Sequence, residues 1–343
     1  HGSFIKELAP IRQSNLCSEI DLPTKPLNDI NDPEGEISLC TLAAINWGKI
    51  RDPSDFERPC TLAIRALDEL LDYQDYPVLA ARNSTMARRP LGVGIINLAY
   101  WLARNDLSYQ SISADGLNKL HQYAEAWSYY LIKASIDLAK EKGPCTKWKE
   151  TKYGQGIFPI NSYKKEVDEL AEPNYNLDWG LLATEAREHG IRNSTLMALM
   201  PSETSAQISN ATNGIEPPRS LVSVKQSKDG VLKQVVPEVR RLKNKYDLLW
   251  DQKTPEGYLK IVAILQKFID QGISVNTSYN PRFYEDEKIP MSEMIKHLLM
   301  FYKYGGKQLY YFNTFDGAGE IEIKQPELEA GATNDEDCEA CKI

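Results

Sequence analysis

Leu196-Met197-Ala198-Leu199-Met200 runs directly into Pro201-Ser202-Glu203-Thr204-Ser205-Ala206-Gln207. Five consecutive apolar residues fit a strand buried on both faces, and the hydroxyl-rich run behind the proline opens a helix. The same alternation repeats outward from this junction. Helical periodicity marks 62–72, 117–142 (closed by Gly143-Pro144), 162–171, 179–189, 258–271 and 291–304, the last stopped by Gly305-Gly306. Short strand patterns lie at 37–42 and 309–313, and across 91–103 Gly92 and Gly94 lead an apolar run into a helix. Isolated strands alternating with helices predict an α/β fold with parallel strands, without internal repeats.

Composition narrows the function. The 343 residues are 42% hydrophobic and 26% charged, enough for a sizeable core. A net charge of −8 without a dense Lys/Arg run argues against binding nucleic acid. No apolar run approaches the roughly 18 residues of a membrane span, and the start does not read as a signal peptide. Six cysteines at irregular positions (17, 40, 60, 145, 338 and 341) do not form a secreted disulfide framework, so a cytosolic setting with chemical roles for thiols is expected. The opening His1-Gly2-Ser3-Phe4, without methionine, suggests a fragment or a split-gene product.

Three places carry candidate chemistry. In Ser14-Asn15-Leu16-Cys17-Ser18-Glu19-Ile20 an extended backbone would set Asn15, Cys17 and Glu19 on one side. That row offers an amide clamp, a reactive sulfur and a base; a solvent-facing strand with Cys17 as a small apolar residue is the alternative. Ser202, Glu203, Thr204 and Ser205 sit where backbone N–H groups favour an anion, although Thr204 and Gln207 also have the spacing of a capping box. Cys40 lies in an apolar strand context, as an inert core cysteine would, while Cys60 and Cys145 have no partner motif. Tyr310-Tyr311 read as ordinary strand formers with side chains on opposite faces.

The third place is the C-terminal end, Cys338-Glu339-Ala340-Cys341. From Asp316 to Ile343 nine acidic residues face two lysines with no aromatic, a composition that should not fold by itself. A dithiol on such an arm suits thiol–disulfide exchange, which needs only access. A zinc site would require four ligands, and no second Cys pair or histidine lies nearby.

Taken in order, Ser14–Ile20, Leu39-Cys40-Thr41-Leu42, Arg88-Arg89-Pro90-Leu91-Gly92-Val93-Gly94, 193–210 with Asn213-Gly214-Ile215-Glu216-Pro217-Pro218-Arg219, 309–314 and the terminal Cys-x-x-Cys closely resemble the C-terminal half of the large, catalytic subunits of class I aerobic ribonucleoside-diphosphate reductases. The resemblance implies half of a ten-stranded α/β barrel over residues 1–315, with a central finger loop at about 10–25, and a flexible redox tail at 316–343. By the same resemblance Cys17 becomes a thiyl radical that takes the ribose 3′ hydrogen. Glu19 takes the 3′-hydroxyl proton and Asn15 binds the ribose hydroxyls. Cys40 is one of two thiols that reduce the 2′ position and end as a disulfide. Ser202–Ser205 hold the substrate diphosphate, Tyr310 and Tyr311 relay the radical, and Cys338 and Cys341 re-reduce the disulfide.

No cofactor is expected on this chain. The radical would come from a metal-containing small subunit, and electrons from thioredoxin or glutaredoxin. The second thiol belongs to the family's N-terminal half, so that half is an expected partner along with a ribonucleoside diphosphate. A non-catalytic assembly role within the same complex is the alternative. A thioredoxin-like carrier fits less well, because its Cys-x-x-Cys would open a helix beside a βαβ core.

Overall fold

Segment 196–200 lies at the middle of five parallel chain segments, joined by single bridges to a two-stranded pair on either side, in a computed structural model, which describes residues 3–227 and 230–316. β1 (Thr41–Asn46) leads through α1 (Glu57–Tyr73) and α2 (Leu79–Arg88) to β2 (Leu91–Ile96). The two strands pair in parallel, with Thr41 opposite Leu91 and Asn46 opposite Ile96. α3 (Leu98–Arg104), α4 (Ala114–Lys142) and α5 (Trp179–His189) then return the chain to 196–200, which joins β2 through a parallel Val93–Met197 bridge. After α6 (Glu203–Ile208) come an antiparallel hairpin, β3 (Val222–Ser227) with β4 (Gly230–Val235), then α7 (Val239–Leu242) and α8 (Glu256–Gln266). The fourth strand starts at Ile273, bridged in parallel to Leu199, and continues as β5 (Thr277–Tyr279). α9 (Met291–Lys303) crosses to the fifth strand, whose end, β6 (Phe312–Thr314), pairs in parallel with β5. Strand order therefore follows chain order. Every parallel step needs a long crossover, and helices supply each one.

Apolar burial explains which helices sit where. All six residues of β2 are buried, as a strand covered on both faces requires. α4 starts at Ser113, whose hydroxyl accepts the Gly116 N–H at 3.1 Å, and ends at Gly143 with φ +81°. Its Leu120, Ala124, Trp127, Leu131 and Ile132 are buried at the centre of the core. Around Trp127 the rings of Trp47, Phe56, Trp101 and Tyr123 meet mostly edge to face; Trp101 and Tyr123 are 4.9 Å apart and Trp47 and Trp101 5.8 Å. Each such pair contributes about 0.5–1.5 kcal/mol beyond its buried area.

Polar groups lock the crossovers to the sheet. Asp68 on α1, fully buried, accepts Arg89 Nε at 2.6 Å, Arg192 Nε at 3.1 Å and Asn193 Nδ2 at 3.0 Å. One carboxylate thus ties α1 to the entries of β2 and of segment 196–200. Removing it would leave the buried Arg89 guanidinium with only the half-exposed Asp72 as its ionic partner, a costly way to break a buried pair. A second buried group sits beside α8: Lys267 Nζ lies 2.9 Å from His121 Nε2 and 2.8 Å from Asp168 Oδ1, against the Tyr163 and Tyr175 rings.

The structure corrects two readings of the sequence and adds one element. Only a 3-10 turn, Lys165–Glu169, forms within 162–171. α8 ends at Gln266 rather than at 271, and it is buried nearly all round. The β3–β4 hairpin went unread, although Asp229-Gly230 between alternating strand residues is a standard hairpin signal. The tail reading falls at 317–343, outside the described residues. Among the described residues no helix is long and apolar enough to cross a membrane.

Burial, followed by the Lys267 charge, lowers the His121 pKa to about 3. Folded His121 therefore resists protonation while the unfolded chain takes up the proton near pH 6.5. Its contribution is full above that value and is lost as pH falls toward 3, at up to about 1.4 kcal/mol per pH unit. His121→Gln keeps an acceptor for Lys267 but cannot titrate. From about pH 7 to about pH 5 the wild-type urea midpoint should fall faster than the variant's; parallel curves would show that His121 does not govern this window.

Candidate active site

The finger loop is a hairpin. Ser14 and Asp21 form an antiparallel bridge, and the Ser14 hydroxyl donates to the Ile20 carbonyl at 2.9 Å. The Asn15 carbonyl accepts the Ser18 N–H at 3.1 Å, while Asn15 Oδ1 accepts the Ile20 N–H at 3.0 Å. Ser18 has φ +66°, the left-handed conformation that closes the turn. The extended row expected for Asn15, Cys17 and Glu19 is thus replaced by a tight turn with Cys17 at its tip, half-buried. Local hydrogen bonds to Asn15 outcompete strand geometry here. Glu19 is 2% exposed, and its Oε2 has no hydrogen-bond partner among the described residues. A buried carboxylate oxygen left in that state is costly and chemically available.

The loop is seated on the bend between α8 and the fourth strand. Gly272 N–H donates to the Glu19 carbonyl at 2.8 Å, and Gln271 Oε1 accepts the Asp21 N–H at 3.3 Å. A Cβ at Gly272 would lie 2.8 Å from the Ser18 carbonyl oxygen, so only glycine admits the loop this closely. Cys40, just before β1, sits beside the same bend. Gln271 Nε2 points at its Sγ from 3.7 Å, and a Cβ on Gly92 would come within 2.8 Å of that sulfur. Burial pushes the Cys40 thiol well above its ordinary value; the Gln271 amide opposes this, and the Asp270 and Glu19 charges add to it. Cys60 and Cys145 are buried in the core, the latter with its thiol pushed up to about 12 by burial.

Tyr310 and Tyr311 do not splay to opposite faces. They lie just ahead of β6, and their ring centroids are 3.9 Å apart at 40°. Tyr310 N–H donates to the Val275 carbonyl at 2.7 Å, and Tyr311 N–H to Asn276 Oδ1 at 3.1 Å. The Tyr310 phenol also interacts electrostatically with Tyr311 and with Cys17. The Tyr311 side chain, then burial, then Cys17 push its phenol well above the usual range. Tyr311, Tyr310 and Cys17 form one unbroken line of contact.

Beyond segment 196–200, Ser202 turns the chain with φ +51° and α6 starts at Glu203. Thr204 therefore lies inside the first turn, and no side chain caps the helix among the described residues, so the capping-box reading does not hold. Ser202 Oγ, Gln207 Nε2 and Asn213 Oδ1 are buried without partners among the described residues. Asn97, which sequence reading missed, anchors 211–214: its Oδ1 accepts the Thr212 N–H at 3.0 Å and its own N–H donates to the Thr212 carbonyl. Gln271, Asp21 and Asn276 were missed as well. Each is a lone polar residue at a loop or strand entry, with no periodic signal to mark it. Cys338 and Cys341 lie outside the described residues.

Residues 1–312 match the family described as ribonucleotide reductase, barrel domain. The chain belongs to the ribonucleotide reductase family. It is 55% identical to the ribonucleoside-diphosphate reductase subunit alpha of Haemophilus influenzae, over all of this chain and 44% of that protein. The ribonucleoside-diphosphate reductase 1 subunit alpha of Escherichia coli is 54% identical over the same shares, and the subunit alpha of Enterobacteria phage T4 is 46% identical over 99% of this chain and 44% of its own length. The chain spans less than half the length of these curated relatives. The barrel domain accounts for the parallel strand order, and the α/β architecture agrees with the half-barrel that the resemblance implied.

Gly272→Ala should destabilise the folded chain by about 1–3 kcal/mol by forcing the loop off its seat. Urea unfolding measures the loss, and trypsin should cut faster at Arg12. An unchanged midpoint with unchanged cleavage would show that the loop does not depend on this contact.

Proposed function

We propose that this chain supplies the radical-bearing half of the active site of a ribonucleoside-diphosphate reductase large subunit. The observation that carries the proposal is the contact line Tyr311–Tyr310–Cys17, ending on a loop seated beside Cys40. A phenol placed beside a thiol, close enough to interact with it, is arranged to exchange a hydrogen atom with it, leaving a thiyl radical on Cys17. That radical takes the 3′ hydrogen of a ribonucleoside diphosphate. Glu19, buried with one oxygen uncommitted, accepts the 3′-hydroxyl proton, and Asn15 orients the ribose hydroxyls. The 2′ hydroxyl leaves as water while Cys40 and a second thiol deliver two electrons and become a disulfide. Ser202, Glu203, Thr204 and Ser205 receive the diphosphate, supported by the buried, unpartnered Ser202 Oγ.

The second thiol comes from the N-terminal half of the subunit, in the part of the relatives that this chain does not span. A metal-containing small subunit delivers the radical to Tyr311. Cys338 and Cys341 reduce the disulfide and are recharged by thioredoxin or glutaredoxin in the cytoplasm.

Reconstitution with the N-terminal half and a small subunit should yield deoxyribonucleotide from ribonucleoside diphosphate. Cys17→Ser, Tyr310→Phe and Tyr311→Phe should each assemble and bind substrate yet turn over at no more than a trace, since a hydroxyl does not replace the thiyl radical and phenylalanine lacks the oxidisable phenol. Near-wild-type turnover in any of them removes that residue from the path. Cys338→Ser/Cys341→Ser, pre-reduced, should give a burst of product and then stall with thioredoxin, while dithiothreitol restores part of the rate. Normal cycling on thioredoxin would exclude the tail dithiol as carrier.

A further inference from the structure

Gln271 is fully buried, and one amide plane joins the two cysteine-bearing parts of the site. Its Nε2 donates to the Leu91 carbonyl at 2.9 Å and faces Cys40 Sγ at 3.7 Å. Its Oε1 accepts the Asp21 N–H at the closing end of the loop that carries Cys17, at 3.3 Å. Its backbone is pinned on both sides: the N–H donates to the Met197 carbonyl at 3.2 Å, and the carbonyl accepts Gln266 Nε2 at 3.0 Å and the Lys307 ammonium. The main chain is therefore held, and the amide group is left as the element that responds to its neighbours.

We infer that Gln271 is a positioning residue that couples the redox state of Cys40 to the seating of the Cys17 loop. The inference rests on the reductase reading above for its purpose, though not for its geometry. With Cys40 reduced, the sulfur lies within reach of Nε2, and Oε1 is thereby aimed at Asp21. When Cys40 and its partner thiol give up two protons and two electrons, the new S–S bond draws Sγ toward the partner. Nε2 then loses one of its two acceptors. Because nitrogen and oxygen share a rigid plane, any turn that re-satisfies the nitrogen moves Oε1 away from Asp21. The loop is held in register while reducing equivalents are present and loosened once they are spent, which keeps a radical from being placed on Cys17 when the 2′ position cannot be reduced.

The test uses the full chain with Cys17→Ala, Cys338→Ser and Cys341→Ser, so that methyl methanethiosulfonate reaches only Cys40 among the accessible thiols. The reagent forms the Cys40 methyl disulfide and releases methanesulfinate. Amide hydrogen exchange at 18–21 should rise about five- to tenfold on capping, the loss expected for one hydrogen bond, while β2 amides stay protected. In Gln271→Met, which keeps the volume but neither polar atom, exchange at 18–21 should already be raised and should not respond to capping. Unchanged loop exchange on capping the Gln271 chain overturns the proposal whether or not the variant folds, and so does an undiminished response in Gln271→Met. A reconstituted enzyme without reductase activity would sink the functional reading and leave this exchange result standing.

Discussion

The bend at Asp270-Gln271-Gly272 is the constraint on which the site depends. Asp270 is buried and accepts the Leu196 N–H at 2.7 Å, the Met197 N–H at 3.0 Å and the Tyr153 hydroxyl at 2.6 Å. Burial still lifts its carboxyl to about 6 against the pull of these donors. The carboxylate fixes the start of the central strand relative to the fourth. Gln271 then reaches β2 and Cys40, and Gly272 takes the finger loop. Three consecutive residues therefore join the middle of the sheet to both cysteines, and each acts through a different property: charge, a planar amide and the missing side chain.

This arrangement puts chemistry on irregular backbone and keeps the regular backbone for support. Cys17 is on a turn, Cys40 precedes β1, the tyrosines precede β6 and Ser202 follows segment 196–200. Cys40, the tyrosines and Ser202 sit one or two residues from a strand or strand segment, and Cys17 three residues beyond a bridge, where side chains are released from the alternation of the pleat. That release explains how two adjacent tyrosines bring their rings together. It also explains why β2 can be wholly buried and apolar while the polar demand is met at the strand ends.

Much of the frame was legible in the residues. The apolar run at 196–200 and the buried stripe of α1 read directly because burial imposes a period on them, and the glycine stop after α4 reads as a cap. The site was legible only in part. Cys17, Glu19 and Cys40 stand out by residue type, but the row expected for Asn15, Cys17 and Glu19 was a turn, since side-chain-to-backbone bonds at Asn15 are invisible to a two-residue period. Gln271 gave no signal because its importance comes from what is packed around it. The 267–272 stretch looked like the end of a helix, and only tertiary contacts make it a junction.

The loop seat has a further consequence in the order of folding. Asp21 and Gln271 are 250 positions apart, and the sheet between them closes through successive long crossovers. Such contacts have high contact order and form late, after the closure of long chain segments has been compensated by packing. The turn at Asn15–Ser18 can form early and locally, yet it finds its seat only once the third and fourth strands are aligned. The surroundings of the loop thiol are thereby completed only at the last stage of assembly, so an incompletely folded or partly synthesised chain has a thiol at that position without its packed environment.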